Sequence, residues 1–309
     1  MKKMAQLTHD VVIVGGGPAG MSAALVLGRS RRKVLLIDAG KPRNAVTLHS
    51  HGFLTRDGIT PKEFRDISIH QLMKYESVSI KRDIVIRIEP EESIFTIHTQ
   101  SGSRYIGKKV IIATGMKDHL PSIPGLQEVY GKSVFPCPYC DGWEHRDEPL
   151  AVFGQGEKLV DFTKLIANWS KDLLVFTNGP TNWSVSDLEK LNTYNIDVID
   201  GHIKEVSSTN GFLKSIILED GEVFKRSAGF IMNVDAIQSS TIPEMLGVPY
   251  NHHGGYETDP HGLTCVPGLY VIGDATHAFS GLVGAAGEGY EVGVSINHKL
   301  VEEEWNMPG

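Results

Sequence analysis

Cysteine is scarce in this chain of 309 residues, which has only three. A disulfide-stapled secreted scaffold needs a dense, even set, so that class is excluded. Blocks of positive charge are missing too. Lys and Arg number 30 against 37 Asp and Glu, for a net charge of −7, and the longest basic run is Arg31-Arg32-Lys33. Nucleic-acid affinity comes largely from clustered cations, so no nucleic-acid partner is expected. No run of about 18 uninterrupted apolar residues occurs, so no membrane span is expected. The first residues pair two lysines with an apolar stretch, but Gln6 to Asp10 intervene and glycines and a proline break the stretch beyond. That is a poor secretory signal, and a cytoplasmic location is expected. Tandem short repeats and low-complexity segments are absent.

What is present is a globular composition, 41% hydrophobic, long enough for two compact domains or one domain interrupted by another. "DVVIVGGG", "PAGMSAALVLGRS" and "KVLLID" (residues 10–38) read as strand, small-residue helix and strand. A second such pattern starts at "PLAVFGQG" (149–156). Turn-forming residues in "MKDHLPSIPGL" (116–126) mark a linker between the two. The expected fold class is α/β, with two doubly wound Rossmann-like domains, the second inserted into the first. The expected boundaries are 1–117 and 242–309 for the first domain and 118–241 for the second.

Gly15, Gly17 and Gly20, with Pro18 and Ala19 between them, form Gly-x-Gly-x-x-Gly at the strand-to-helix turn. The first glycine permits the turn, the second lets backbone approach a pyrophosphate, and the third lets helix and strand pack closely. Asp38 ends the next strand, where a carboxylate accepts hydrogen bonds from a ribose. In the second unit Gly154 and Gly156 stand in place, but Leu159 occupies the third small position, and the next strand ends in Thr177-Asn178-Gly179 without an acid or arginine. Guanidinium groups are the usual partner of a 2′-phosphate, so NAD(P)H binding is doubtful.

Cys137 and Cys140 lie between the linker and the second nucleotide-like strand. Cys-x-x-Cys suits a zinc clip, a glutaredoxin-like pair or a cofactor-linked dithiol. A structural zinc site needs four ligands, and no second Cys-x-x-Cys or paired Cys/His motif follows, so no metal is expected. Cys265 is isolated and is expected only to pack.

Four motifs, "GGGPAG", "VIIATG" (110–115), "CPYCDG" and "TCVPGLYVIGDA" (264–275), occur in an order that resembles the low-molecular-weight thioredoxin reductases of the FAD-dependent pyridine nucleotide-disulfide oxidoreductase superfamily. The resemblance covers nearly the whole chain. It implies FAD as cofactor, a homodimer, and a redox-active disulfide exchanging electrons with the flavin and then with a thioredoxin-like protein or small-molecule disulfide. It makes Cys140 the flavin-proximal thiol, Cys137 the exchanging thiol and Asp141 the acid/base. It also places Ala113, Thr114, Gly115, Gly273 and Asp274 among the FAD contacts. His145 is a further candidate for proton transfer.

Where that family carries an Arg-Gln pair before its last helix, this chain has Ser280 and Gly281; the amides of Leu282 and Val283 remain to face a reduced flavin. The segment "AGKPRNAVTLHSHGFLTRDG" (39–58), which includes Asn44 as an expected FAD contact, and the pattern around "CPYC" are similar to flavin dithiol oxidases, which use oxygen in place of NADPH and usually have histidine where Asp141 stands. Three functions follow: a reductase whose donor is weakly bound NAD(P)H, or a ferredoxin or flavodoxin; a dithiol oxidase using oxygen; or an FAD-binding redox regulator without turnover. In thioredoxin reductases the inserted domain rotates, and hinges are expected at 116–121 and 240–246.

Overall fold

The structure is a computed structural model that describes residues 8–232, 234–277 and 279–306. The chain opens with strand β1 (Thr8–Val14), helix α1 (Pro18–Arg29) and strand β2 (Val34–Asp38). β1 and β2 run parallel, and all five residues of β2 are buried. A sheet covered on both faces selects such continuous apolar runs. Pro18, at the first turn of α1, supplies a pre-set φ where no intrahelical N–H is needed. Helix α2 (Pro61–Leu72) leads to β3 (Val78–Arg82), parallel to β2. Strands β4 (Val85–Glu91), β5 (Ile94–Thr99) and β6 (Arg104–Ile112) make an antiparallel meander whose last strand also pairs in parallel with β1. The chain then crosses into its second unit along β7 (Met116–His119).

The second unit contains α3 (Leu126–Val129), β8 (Val134–Phe135), α4 (Pro138–Asp141), β9 (Leu150–Phe153), α5 (Lys158–Ile166), β10 (Leu173–Phe176), α6 (Val185–Thr193) and β11 (Asp197–Ile199). An antiparallel sheet of β12 (Ile203–Thr209), β13 (Phe212–Leu218) and β14 (Val223–Lys225) follows, then β15 (Ala228–Ile231). The parallel sheet has the order β11-β10-β9-β15-β8. The return crossing, β16 (Asp235–Gln238), pairs with β7. Helix α7 (Ile242–Met245), strand β17 (Leu269–Val271), helix α8 (Asp274–His277) and the 26-residue helix α9 (Gly281–Asn306) complete the first unit, and β17 adds to β6.

Side chains along each central strand alternate between two cores, as the period of two requires. In the first unit Val11, Ile13, Leu36 and Ile111 pack with Ala24 and Leu27 of α1 and with Val292 and Ile296 of α9. Val12, Val14, Leu35, Ile37, Val110 and Ile112 face the other way. In the second unit Ala151 and Phe153 join the β12–β13 side chains, while Leu150 and Val152 meet Leu159 and Ile166 of α5.

The two doubly wound units, one interrupting the other, match the expected fold class. Their compact bounds are 1–43, 62–117 and 236–309 for the first and 44–61 and 118–235 for the second. Residues 44–61, placed with the first domain by sequence, cluster with the second, where Val46 lies against Gly131 and His51 beside Glu144. The return to the first unit likewise comes at 235/236, ahead of 241/242, because the chain turns back along β16. No helix among the described residues is long and apolar enough to cross a membrane.

Candidate active site

The site residues expected from the sequence fall into two sets, one in each unit. In the first, Gly15 takes φ +110, and a Cβ there would lie 2.3 Å from the carbonyl oxygen of Ala113. A Cβ on Gly20 would lie 2.0 Å from the carbonyl oxygen of Gly15, so the turn closes only with glycine at both positions. Gly17 caps α1 with open space around its Cβ position, and the unsatisfied amides of that helix end suit an anion. Asp38, buried at the end of β2, accepts a hydrogen bond from the Gly16 amide at 3.0 Å through Oδ1. Its Oδ2 pairs with the Arg65 guanidinium, whose other arm donates to the Gly16 carbonyl at 3.0 Å. Arg65 therefore ties the acid to the glycine turn, and a carboxylate so used keeps lone pairs for a ribose.

Ala113, Thr114 and Gly115 follow β6, and Ala113 N–H donates to Val14 O at 2.7 Å. Thr114 Oγ1 is buried without a hydrogen-bond partner among the described residues. Such an orphan fits a bound polar group. Gly273 has φ +72 and donates its N–H to Glu288 Oε2 at 2.8 Å. Burial holds the Glu288 carboxyl above the usual range. Asp274 accepts from Arg43 at 2.7 Å and from the Ser280 amide and hydroxyl at 2.9 Å. Leu282 and Val283 occupy the first turn of α9. The glycine turn, the helix end and the orphan hydroxyl all fit FAD. Arg65 and Glu288 went unnoticed in the sequence; each acts across a fold contact, with only an acid or glycine far along the chain to hint at it.

In the second unit, β8 leads to Cys137, which begins α4 with extended backbone, and the Cys140 amide donates to the Cys137 carbonyl at 3.2 Å. The two cysteines are disulfide-bonded, with Cα atoms 5.3 Å apart. Gly142 is required next, because a Cβ there would lie 2.4 Å from the Pro138 carbonyl and 2.8 Å from the Trp169 ring. Tyr139, packed edge-on to Trp169, and Trp143 stay 74% and 66% exposed on the same turn. Asp141 is partly buried. Desolvation, with a smaller contribution from the Glu144 charge, pushes its carboxyl up to about 7. His145 lies against Phe135 and pairs with Glu148 at 3.1 Å, a structural setting for its ring. Asn44 falls in the second unit, and its amide donates to Ser50 at 3.3 Å.

With that geometry in hand, the sequence profile of the pyridine nucleotide-disulphide oxidoreductases matches residues 9–289. The chain belongs to this family. A probable thioredoxin reductase of Arthroderma benhamiae is 34% identical over 302 residues, covering 87% of this chain and 74% of that one. The crystal structure of a putative thioredoxin reductase, TrxB, from Bacillus anthracis superposes with a TM-score of 0.92 at 38% identity, covering 96% and 99% of the two chains. That of HlmI superposes at 0.91 with 34% identity, covering 97% and 96%. As a member of this thioredoxin reductase-like family, the protein is an FAD-dependent oxidoreductase.

The turn after β9 and the end of β10 differ from the glycine turn and acid of the first unit. The Gln155 side chain reaches from the turn after β9 to the Thr177 carbonyl at 3.0 Å, across the end of β10. Leu159 lies 2.9 Å from a Cβ built on Gly154, and Asn178 Oδ1 is taken by the Ile203 amide at 2.8 Å. No guanidinium stands at 177–179 to meet a phosphate.

Proposed function

We propose that this flavoprotein is a thiol/disulfide oxidoreductase that moves electron pairs between its cofactor, the Cys137/Cys140 pair and an external thioredoxin-like or small-molecule disulfide. Its other redox partner is not an NADPH held in the second unit. The observation that carries this reading is the closed Cys137–Cys140 disulfide followed directly by Asp141, a carboxyl poised near pH 7. FAD, when bound, supplies two-electron chemistry to the dithiol.

In the reducing direction the Cys137 thiolate attacks one sulfur of the substrate disulfide. A mixed disulfide forms and the other substrate sulfur leaves as a thiolate, which takes a proton. Cys140, giving its proton to Asp141, then attacks the Cys137 sulfur. The 137–140 disulfide closes and the second substrate sulfur leaves as a thiolate that takes the proton from Asp141; with the first leaving thiolate protonated from solvent, the substrate gains two electrons and two protons. Only thiolates attack, and a free cysteine titrates near 8.5, so a neighbouring base is needed to form them at neutral pH. A group half-protonated near pH 7 serves as acid in one direction and as base in the other.

A second reading, a dithiol oxidase passing electrons from substrate thiols to oxygen, is favoured by the Gln155 contact across the end of β10 and by the missing guanidiniums. Ferredoxin or flavodoxin is the alternative donor if the protein works as a reductase. The homodimer and the domain rotation implied by the resemblance belong to this proposal as well.

The test replaces each cysteine in turn. Cys140→Ser loses the thiolate-to-flavin charge-transfer absorbance, and Cys137→Ser keeps or strengthens it. Each variant lowers exchange with a dithiol by at least about 1000-fold, as expected on removal of a nucleophile. Unchanged exchange in either variant would remove the dithiol from the mechanism. Reversed absorbance changes would exchange the two roles.

A further inference from the structure

The two glycine turns correspond strand by strand. Val14 of β1 pairs with Ile37 of β2, and Phe153 of β9 pairs with Phe176 of β10, so Gly16 matches Gln155 and Asp38 matches Thr177. In the first unit the gap between turn and strand end belongs to the acid: a Cβ on Gly16 would lie 2.6 Å from Asp38 Cγ, so no side chain fits there. In the second unit both positions change together. Thr177 is fully buried, and its hydroxyl is spent on the Gly179 carbonyl at 2.7 Å. The Gln155 side chain crosses the gap instead, donating Nε2–H to the Thr177 carbonyl at 3.0 Å and lying 3.5 Å from the Asn178 carbonyl. Both sides of this bridge are held. Asn178, at φ +50, accepts the Ile203 amide through Oδ1 at 2.8 Å, and buried Trp183 donates Nε1–H to the Gly156 carbonyl at 3.1 Å.

We propose that Gln155 is a built-in occupant of the second unit's nucleotide crevice: its amide stands where a ribose would bind, and the ligand it competes with is an adenosine dinucleotide with a free 2′-hydroxyl, as in ADP-ribose or NADH. This rests on the reading that no NADPH is held in the second unit, and it names the residue responsible and the nucleotide class it keeps out. At the end of this strand a dinucleotide fold meets the adenosine ribose, with an acid for a 2′-hydroxyl or an arginine for a 2′-phosphate. The Thr177 and Asn178 carbonyls are acceptors, as an acid is, and the Gln155 amide already supplies their donor. With that amide gone they lie open to a ribose hydroxyl. A 2′-phosphate still meets oxygens and no guanidinium at 177–179. The neutral hydrogen bonds of one amide are worth about a tenfold change in affinity. The gain stays modest because Glu157 caps α5 where Gly17 caps α1, and an acid at a helix N-terminus opposes a pyrophosphate.

The experiment is isothermal titration calorimetry of the FAD-loaded protein with ADP-ribose and, separately, with 2′-phospho-ADP-ribose. Gln155→Ala removes the amide, and Gln155→Asn keeps a polar amide one methylene too short to span to Thr177. Each variant should bind ADP-ribose about tenfold more tightly than the parent protein, with binding of the 2′-phosphorylated probe unchanged. The absorbance of bound FAD and the thermal midpoint report that the fold is intact. If neither variant binds ADP-ribose more tightly than the parent, Gln155 is not an occupant of the crevice. If both probes gain equally, a loosened turn explains the result and the preference for a free 2′-hydroxyl is overturned. Calorimetry reads binding and not electron transfer, so failure of the dithiol mechanism leaves this comparison standing. Rapid bleaching of the parent flavin by NADPH would instead overturn the reading on which the inference rests.

Discussion

The first unit and the second each open with an apolar strand, a glycine turn and a helix, yet Gly20 lets the first helix close on the Gly15 carbonyl while Leu159 fills the matching place in the second. The acid that ends β2 is tied to its own glycine turn through Arg65; the end of β10 has Thr177, bridged by Gln155. The parallel sheet and its covering helices survive in both units because they depend on apolar alternation. The third glycine and the strand-end acid stand together only in the first unit. A Rossmann-like fold is therefore evidence of packing, and its ligand has to be argued from the site.

Breaking the first unit should have the largest effect. Gly20→Val places side-chain atoms where a Cβ alone already lies 2.0 Å from backbone oxygen, so the variant should purify without flavin and with a lowered thermal midpoint. A normal FAD-to-protein absorbance ratio would show that the turn tolerates opening. Next, Arg65→Ala leaves the buried Asp38 carboxylate with the Gly16 amide alone and should destabilise the first unit by roughly 2 kcal/mol, loosening FAD in a fluorescence titration.

Asp141→Asn sharpens the comparison from the second unit. The folded-state carboxyl titrates at about 7 against an ordinary 3.8. The folded protein therefore binds a proton more tightly than the unfolded chain, a contribution to stability that is complete below about pH 4 and lost as pH rises through about 7. Thermal midpoints of the parent protein should fall across that window, and those of Asp141→Asn should fall less. Identical curves would remove the desolvated acid. The smallest effect is expected from Gly156→Ala, the unit-two partner of Gly17. Its φ of +82 costs on the order of 1 kcal/mol, but nothing lies within 4 Å of the new Cβ, so flavin content should not change. Loss of flavin there would link the second glycine turn to FAD.

The glycine turn, the buried strands and the Cys-Pro-Tyr-Cys-Asp-Gly stretch were legible in the sequence because each is a local pattern whose spacing has a steric or chemical cause. Arg65 was not, since it meets Asp38 only after α2 folds back onto the sheet, and its helix reads as an ordinary polar one. Glu288 looks like one more polar residue on α9 until Gly273 and Thr276 are seen to bond to it. The placement of residues 44–61 escaped for the same reason: loop composition says nothing of Gly131 or Glu144, the partners that draw the segment to the second unit. Gln155 is a single polar residue in a glycine turn, and only its reach to the Thr177 carbonyl shows what it does. The missing acid and arginines after β10, by contrast, could be read directly.

The most direct test of the division of labour between the two units is an anaerobic titration of the holoprotein followed by flavin absorbance, with NADPH, NADH and a small dithiol added to separate samples. The account predicts that the dithiol bleaches the flavin through Cys137 and Cys140 while neither nicotinamide does so within seconds. Rapid stoichiometric bleaching by NADPH, with the Gln155 contact intact, would contradict it.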